Sequence, residues 1–308
     1  MAEAIRQYGV FVALAIAIVV GVIAVPNFAT LANLDAILRQ VAVLGIVALG
    51  QTFVILTAGI DLSVGMLMGL VTVLSNGIMA GDAAFIPLVV LLAIVIGITV
   101  GLANGIGVVS FRVNPLIVTL AMMSVLQGVI FLYTDRTVGS AAPIFRELAY
   151  GDIGPLPTPV LLLGLLTALC WVVLRHTPLG RYIYAVGSDA GNARRAGIPI
   201  GRVTASAYVI CGALAAVAGL VLAARLGSGY TGAGAGFELN SIVAVVLGGT
   251  ALSGGRGGVL GTIAGVLLLA LIANMLNLLG ISPFTQRIVN GLIIIGAIAI
   301  YTARRRES

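Results

Sequence analysis

The stretch Thr57-Ala58-Gly59-Ile60-Asp61-Leu62-Ser63-Val64-Gly65 places a single carboxylate between two apolar runs. Two chemistries fit it. Asp61 can cap the helix that follows, with Ser63 beside it, by accepting backbone N–H groups at a positive helix end. If the chain breaks inside a bilayer instead, Asp61 is an intramembrane charge and a functional group by default. The apolar runs carry few other polar side chains: Gln51, Ser75, Asn76, Asn104, Thr119, Gln127, Asn240, Asn274 and Asn277. In lipid each needs a hydrogen-bond partner, which turns it toward the interior of a helix bundle. Interhelical bonding accounts for any one of them. Together, uncharged amides suit a path for a neutral, hydroxyl-rich solute, and Gln51, Asp61, Asn104, Thr119, Gln127, Asn240 and Asn274 are the candidates to line it. An ion pump would carry more buried carboxylates or histidines, whereas the one histidine here, His176, falls between apolar runs.

A second group lies in the polar connection 175–202. Ser188 and Asp189 can cap a helix N-terminus, Ala190 to Ala196 favours helix, Gly197 suits the left-handed position after a helix, and Pro199 prevents continuation. A short helix bearing Arg194 and Arg195 is expected. Any polar loop can contain such punctuation, but a preformed helix is also what a membrane protein needs to press into a groove on a soluble partner.

Several chemistries are excluded. All 16 basic residues are Arg, and a Walker A loop needs a Lys on the phosphates, so the chain holds no ordinary P-loop ATPase site. The glycine clusters 227–236 and 254–258 follow no strand and resemble nucleotide loops only superficially. Cys170 and Cys211 sit in apolar runs as small hydrophobes. The runs lack a Ser/His, paired-carboxylate or metal constellation, so no enzyme and no cofactor are expected in this chain. The net charge of +6 comes from scattered Arg with no aromatic-interleaved patch, which points away from nucleic acid.

The elements that must position these residues are membrane helices. Of 308 residues 60% are hydrophobic and 8% charged, against roughly 25% charged in soluble domains. Apolar windows predict ten spans at 8–25, 37–58, 62–80, 84–109, 115–133, 158–174, 203–224, 239–253, 258–279 and 286–303. The eighth is short, and the gap between second and third is brief, so either can be discontinuous. The expected fold is an all-α, multi-pass transmembrane domain covering 1–308. With the N-terminus inside, eleven Arg fall on the cytoplasmic side and Arg39, Arg136, Arg146, Arg225 and Arg287 outside, which places both termini in the cytoplasm. Asp35, Asp82, Asp135, Glu147, Asp152 and Glu238 then fall in outer loops, the long one being 134–157. The first apolar stretch has no cleavage site before Pro26 and reads as a retained span.

Glycines at i, i+4 spacing, Gly97-Gly101-Gly105, Gly65-Gly69 and Gly261-Gly265, predict close helix packing. A faint internal echo pairs Val54-Ile55-Leu56 through Leu62-Ser63-Val64-Gly65 with Val245-Val246-Leu247 through Leu252-Ser253-Gly254-Gly255, as in transporters built from repeats.

In order along the chain, Gly59-Ile60-Asp61-Leu62-Ser63-Val64-Gly65, Gly101-Leu102-Ala103-Asn104-Gly105, Asn114-Pro115-Leu116-Ile117-Val118-Thr119-Leu120, Thr177-Pro178-Leu179-Gly180-Arg181 with Ala185-Val186-Gly187, and Val246-Leu247-Gly248-Gly249-Thr250 with Ser253-Gly254-Gly255-Arg256-Gly257 resemble the permease subunits of ribose-, xylose- and arabinose-type ABC importers. The resemblance implies a permease of the bacterial inner membrane that works as a dimer with an identical or paralogous second permease subunit. It implies a sugar received from a periplasmic binding protein, and alternating access driven by a separate cytoplasmic ATPase that holds the ATP and magnesium. It also implies that 187–197 is the coupling helix, with Gly187, Asp189, Asn192, Arg194, Arg195 and Gly197 at the ATPase. Other cargoes, branched-chain amino acids, nucleosides or a signalling furanose, stay open, as does a stand-alone secondary transporter. Ala58 stands where many relatives have a second Gly.

Overall fold

The computed structural model describes residues 2–282, 285–286, 288–289 and 291–292. The expected tenth span at 286–303 lies largely outside the described residues, as do Arg287, the Arg304–Arg306 cluster and the Arg6 side chain.

The first nine expected spans each coincide with a helix. These are α1 (Ala2–Ala24), α2 (Leu31–Leu56), α3 (Val64–Met79), α4 (Ile86–Val109), α5 (Pro115–Tyr133), α7 (Thr158–His176), α10 (Ile200–Leu226), α11 (Phe237–Leu247) and α12 (Val259–Leu278). Among the described residues six apolar helical stretches are long enough to cross a membrane, those of α2, α4, α5, α7, α10 and α12, while α3, α11 and the Gly9–Ala24 part of α1 are shorter. Short elements fill the two long connections: α6 (Pro143–Tyr150) with the two-residue strands β1 (Asp152–Ile153) and β2 (Leu156–Pro157), and α8 (Pro178–Ser188) with α9 (Ala190–Arg195).

The helices begin where local chemistry dictates. At the starts of α5 and α8, Asn114 and Thr177 accept the N–H of Leu116 and Gly180 at 2.9 and 3.3 Å, and the next residue in each case is a proline whose missing N–H costs nothing there.

α2 and α10 form the centre of the bundle and are mostly buried, whereas α4, α5 and α7 turn most of their apolar surface outward. Lipid tails are as apolar as leucine, so close backbone packing rather than apolar burial must hold the outer helices. α4 meets α10 most extensively. There the Gly97-Gly101-Gly105 stripe lies on Gly212, on the Tyr208–Val209 backbone and on Ala205, with no room for an added carbon.

The 27 residues of α10 span ~40 Å at 1.5 Å per residue and separate two ends of the bundle. At one end Arg39 of α2 gathers Asp35 (2.8 Å), Asp152 (2.5 Å) and the carbonyls of Ala149 and Gly151. Val138 and Gly229 exchange backbone bonds there. The opposite end carries α8 and α9.

One placement differs from the sequence expectation. Residues 229–236, a glycine cluster in the sequence, run along α3: Gly229 lies on Val73, Thr231 near Gly69, and Gly234 on Gly65. Eight residues of α3 separate Val73 from Gly65, a descent of ~12 Å. Glu238, expected outside, is thereby carried to α11's first turn, where its carboxylate accepts the Gly236 N–H at 3.0 Å and faces Gly65. Gly229 and Gly234 are small enough to let this run of turns lie against a helix and are buried there, while Tyr230 and Ala235 stay exposed.

Candidate functional site

The short α11 and the gap before α3 are both helix breaks, and the same backbone turn makes each. After α2, the Gly59 N–H bonds the Val54 carbonyl at 3.0 Å and the Ala58 N–H that of Ile55 at 2.9 Å. After α11, the Thr250 N–H bonds the Val245 carbonyl at 3.1 Å and the Gly249 N–H that of Val246 at 2.9 Å. Both are six-to-one, five-to-two terminations through a left-handed residue, Ala58 at φ 61° and Gly249 at φ 88°. The faint sequence echo is therefore a repeated helix ending, aligned residue for residue from Val54 and from Val245.

The first break, 57–63, buries Gly59, Asp61 and Ser63, leaves Ala58 exposed, and is clamped from four helices. The Asp61 Oδ1 accepts the Ser63 N–H (2.9 Å) and Oγ–H (2.6 Å) just before α3 begins, and Asp61 lies fully inside the protein. Asn104 of α4 donates Nδ2 to the Ser63 Oγ at 2.9 Å and stands 3.4 Å from both Asp61 carboxylate oxygens. With its amide oriented to match donors to acceptors, Gln51 of α2 donates to the Asp61 carbonyl at 3.2 Å and accepts the Asp61 N–H at 3.1 Å. The Thr119 hydroxyl of α5 donates to the Ile60 carbonyl at 3.3 Å, and that of Tyr208 in α10 reaches it at 3.5 Å. Among the described residues no ion pair reaches Asp61, and Asn104 Oδ1 is buried with no partner. A buried carboxylate without a cation is held here by neutral donors, the arrangement that makes such a network sensitive to the loss of any member.

Of the seven residues expected on a solute path, the structure thus brings together Gln51, Asp61, Asn104 and Thr119. The other three lie elsewhere. Asn274 pairs amide to amide with Asn33 at 2.7 and 3.1 Å, tying α12 to α2. Gln127 is exposed on α5, and Asn240 is half-buried in α11. Sequence reasoning missed Asn33, Tyr208 and Tyr184, whose partners are distant along the chain. It also missed the 2.8 Å contact between the hydroxyls of Thr52 and Thr262, for the same reason.

The second break, 248–258, is more open and glycine-built. Thr250 Oγ1 accepts the Gly258 N–H at 3.3 Å, and Arg256 and Gly257 face outward. The two breaks touch: the Gly255 N–H bonds the Leu56 carbonyl at 3.0 Å, and Gly254 lies against Ala58. Over both lies the end of α8. The Tyr184 hydroxyl donates to the Gly257 carbonyl at 2.9 Å, and burial pushes this phenol above its ordinary value, with Arg175 partly opposing, so it remains a donor. Gly187 presses so closely that a side-chain carbon there would fall 1.8 Å from the Leu56 carbonyl oxygen and 2.6 Å from the Gly255 nitrogen.

Directly beyond Gly187 comes α9. Asp189 caps it, its carboxylate accepting the Asn192 N–H at 2.9 Å and the Asn192 side-chain N–H at 2.7 Å. Gly197 follows it at φ 77°. Arg194 and Arg195 project outward, the latter donating to the Asn192 side-chain oxygen, while Ala193 anchors the inner face.

A bundle of apolar helices with two interrupted helices meeting beneath a short, exposed, basic helix defines a membrane permease subunit. A family model described as the branched-chain amino acid transport system / permease component matches residues 33–298, and the chain belongs to that permease family. It is 40% identical over 280 residues to the ribose import permease RbsC of Escherichia coli, covering 89% of this chain and 87% of that one. Against RbsC of Bacillus subtilis it is 40% identical over 306 residues, 98% and 94% of the two chains. Against the L-arabinose transport system permease AraH of Escherichia coli it is 36% identical over 300 residues, 95% and 89%. No solved structure matches.

Proposed function

We propose that this chain is the transmembrane permease of an ABC importer for a monosaccharide of the pentose or hexose type. Its likeness, over nearly the whole length, to permeases named for ribose and arabinose import carries that reading. In this reading the chain crosses a bacterial inner membrane ten times, with both termini and the α8–α9 end in the cytoplasm and the α6 end facing the periplasm. A periplasmic binding protein delivers the sugar, a second permease subunit completes the path, and a separate ATPase holds the ATP and magnesium. ATP binding moves α9, with Gly187, Asp189, Asn192, Arg194, Arg195 and Gly197 at or beside the contact, and the bundle changes the side it opens to. Gln51, Asp61, Asn104 and Thr119 control the break on that path, and Gln127, Asn240 and Asn274 lie along other parts of it. Selectivity resides in the binding protein, so the bundle needs no tight sugar site.

The test is transport in vesicles carrying the chain with its ATPase and binding protein. ATP-dependent uptake of ribose or arabinose is expected, and R194E/R195E abolishes uptake while membrane insertion stays normal. Normal uptake by that variant removes α9 as the docking element. The matched family's description favours a second reading, a branched-chain amino acid as cargo; uptake of leucine without uptake of either pentose establishes that one instead.

A further inference from the structure

α8 does more than carry α9. Its last turn meets both helix breaks, and it meets them through different bonds. To the second break it is tied by a side chain, the Tyr184 hydroxyl on the Gly257 carbonyl at 2.9 Å. To the first it is fitted by the absence of one, Gly187 lying on the Leu56 carbonyl where α2 ends. That same Leu56 carbonyl accepts the Gly255 N–H, and Gly187 also covers Gly254 and Gly255. The contact is therefore a closed ring through three elements: α8 to the second break, second break to the first, first break back to α8.

On the α9 side the link is short and stiff. The Asp189 N–H bonds the Ala185 carbonyl at 3.1 Å, so the residue that caps α9 is also bonded into α8's last turn. Displacing α9 must drag Gly187. On the bundle side the first break runs directly into Asp61, whose backbone is held by Gln51 and whose carboxylate is held by Ser63 and Asn104.

We propose that Tyr184 and Gly187 form a single joint that holds both helix breaks at once, so that a displacement of α9 moves the Asp61 segment and the glycine segment 254–258 together. Tyr184 is a positioning residue in this scheme: its hydroxyl keeps the second break seated on α8, and through Gly255 and Leu56 keeps the first in register. That the displacement comes from an ATPase rests on the function proposed above; the joint itself does not.

Two measurements separate these. Y184F removes one hydroxyl and leaves the ring in place, so it folds with an unchanged far-UV spectrum. Amide hydrogen exchange on the purified chain reads the joint with no transport required. Y184F is expected to speed exchange roughly fivefold, the size of one lost hydrogen bond, at Gly255 and also at Ala58 and Gly59 across the junction. Faster exchange at 254–258 with Ala58 and Gly59 unchanged overturns the proposal, because Tyr184 then holds one break only. In vesicles with ATPase and binding protein, the same variant is expected to move fewer solute molecules per ATP hydrolysed, again roughly fivefold. G187A, which forces α8 off Leu56, lowers that ratio further. A wild-type ratio in both variants overturns the proposal, and a wild-type complex without ATP-driven uptake overturns the function reading while the exchange result still decides the joint.

Discussion

The two helix breaks share a backbone turn and differ in everything around it. At 57–63 Gly59, Asp61 and Ser63 are buried, and the polar groups are answered by side chains from α2, α4, α5 and α10. At 248–258 the turn is half-open and built from glycine, with Thr250 and Tyr184 among its side-chain ties. One is specified by long-range chemistry, the other by backbone freedom. A bundle that has to change shape can use both, a fixed element to keep the interrupted helices in register and a pliant one to absorb movement.

The largest effect should come from the fixed break. D61A leaves the Ser63 N–H and hydroxyl without their acceptor inside the protein, while the Asn104 amide keeps the Ser63 Oγ. Buried donors left unpaired cost about 1–3 kcal/mol each, and a net loss of about 3 kcal/mol is expected. D61N retains one carbonyl oxygen for Ser63 and should lose about 1 kcal/mol. Thermal denaturation in detergent, run beside wild type, measures both. Equal melting of D61A and wild type would mean that the first break is no more fixed than the second.

How much of this contrast the sequence shows depends on the range over which each feature is encoded. The helix ends, the short α9 with Asp189 as its cap and Gly197 behind it, and the close packing of the Gly97-Gly101-Gly105 stripe were legible, because each is written within a few residues. So was the presence of a break around Asp61. The surroundings of Asp61 were not legible, since its burial depends on α4 bringing Asn104 alongside. The path of 229–236 along α3 was hidden for a similar reason: a run of Gly and Ala carries no periodicity, so only the packing partner, itself glycine at 65 and 69, reveals it. Tyr184 within the polar connection 175–202 resembles any interfacial aromatic. Its partner is a main-chain carbonyl 73 residues away, and carbonyls have no sequence signature.

A smaller effect is expected at the pliant break. Gly249 holds φ 88°, where an alanine carbon crowds the following carbonyl at a cost of roughly 1–2 kcal/mol. G249A should lower the melting point accordingly and, if α11's ending is a moving part, slow transport out of proportion to the stability lost. Transport that falls only in step with stability assigns Gly249 to folding alone.

The smallest effect is the most discriminating, because it reverses sign. Ala58 occupies at φ 61° the position that Gly249 occupies in the other break, so the side-chain-clamped turn carries a strain that the glycine-built one lacks. Other contacts over-determine it: the Ile55 and Val54 carbonyls on one side, Tyr208 against Gly59 on another, and Gly254 packed on the Ala58 nitrogen. A58G removes the strain at the price of a looser unfolded chain, two terms of about 1–2 and about 0.5–1 kcal/mol that oppose each other. A net gain of about 0.5–1 kcal/mol is expected, seen as a small rise in melting temperature. The functional readout is the solute-to-ATP ratio. If strain at Ala58 biases the fixed break toward release, A58G stabilises the protein and lowers that ratio. If the ratio holds while stability rises, the alanine is an unselected cost and the contrast between the breaks rests on their side-chain clamps alone.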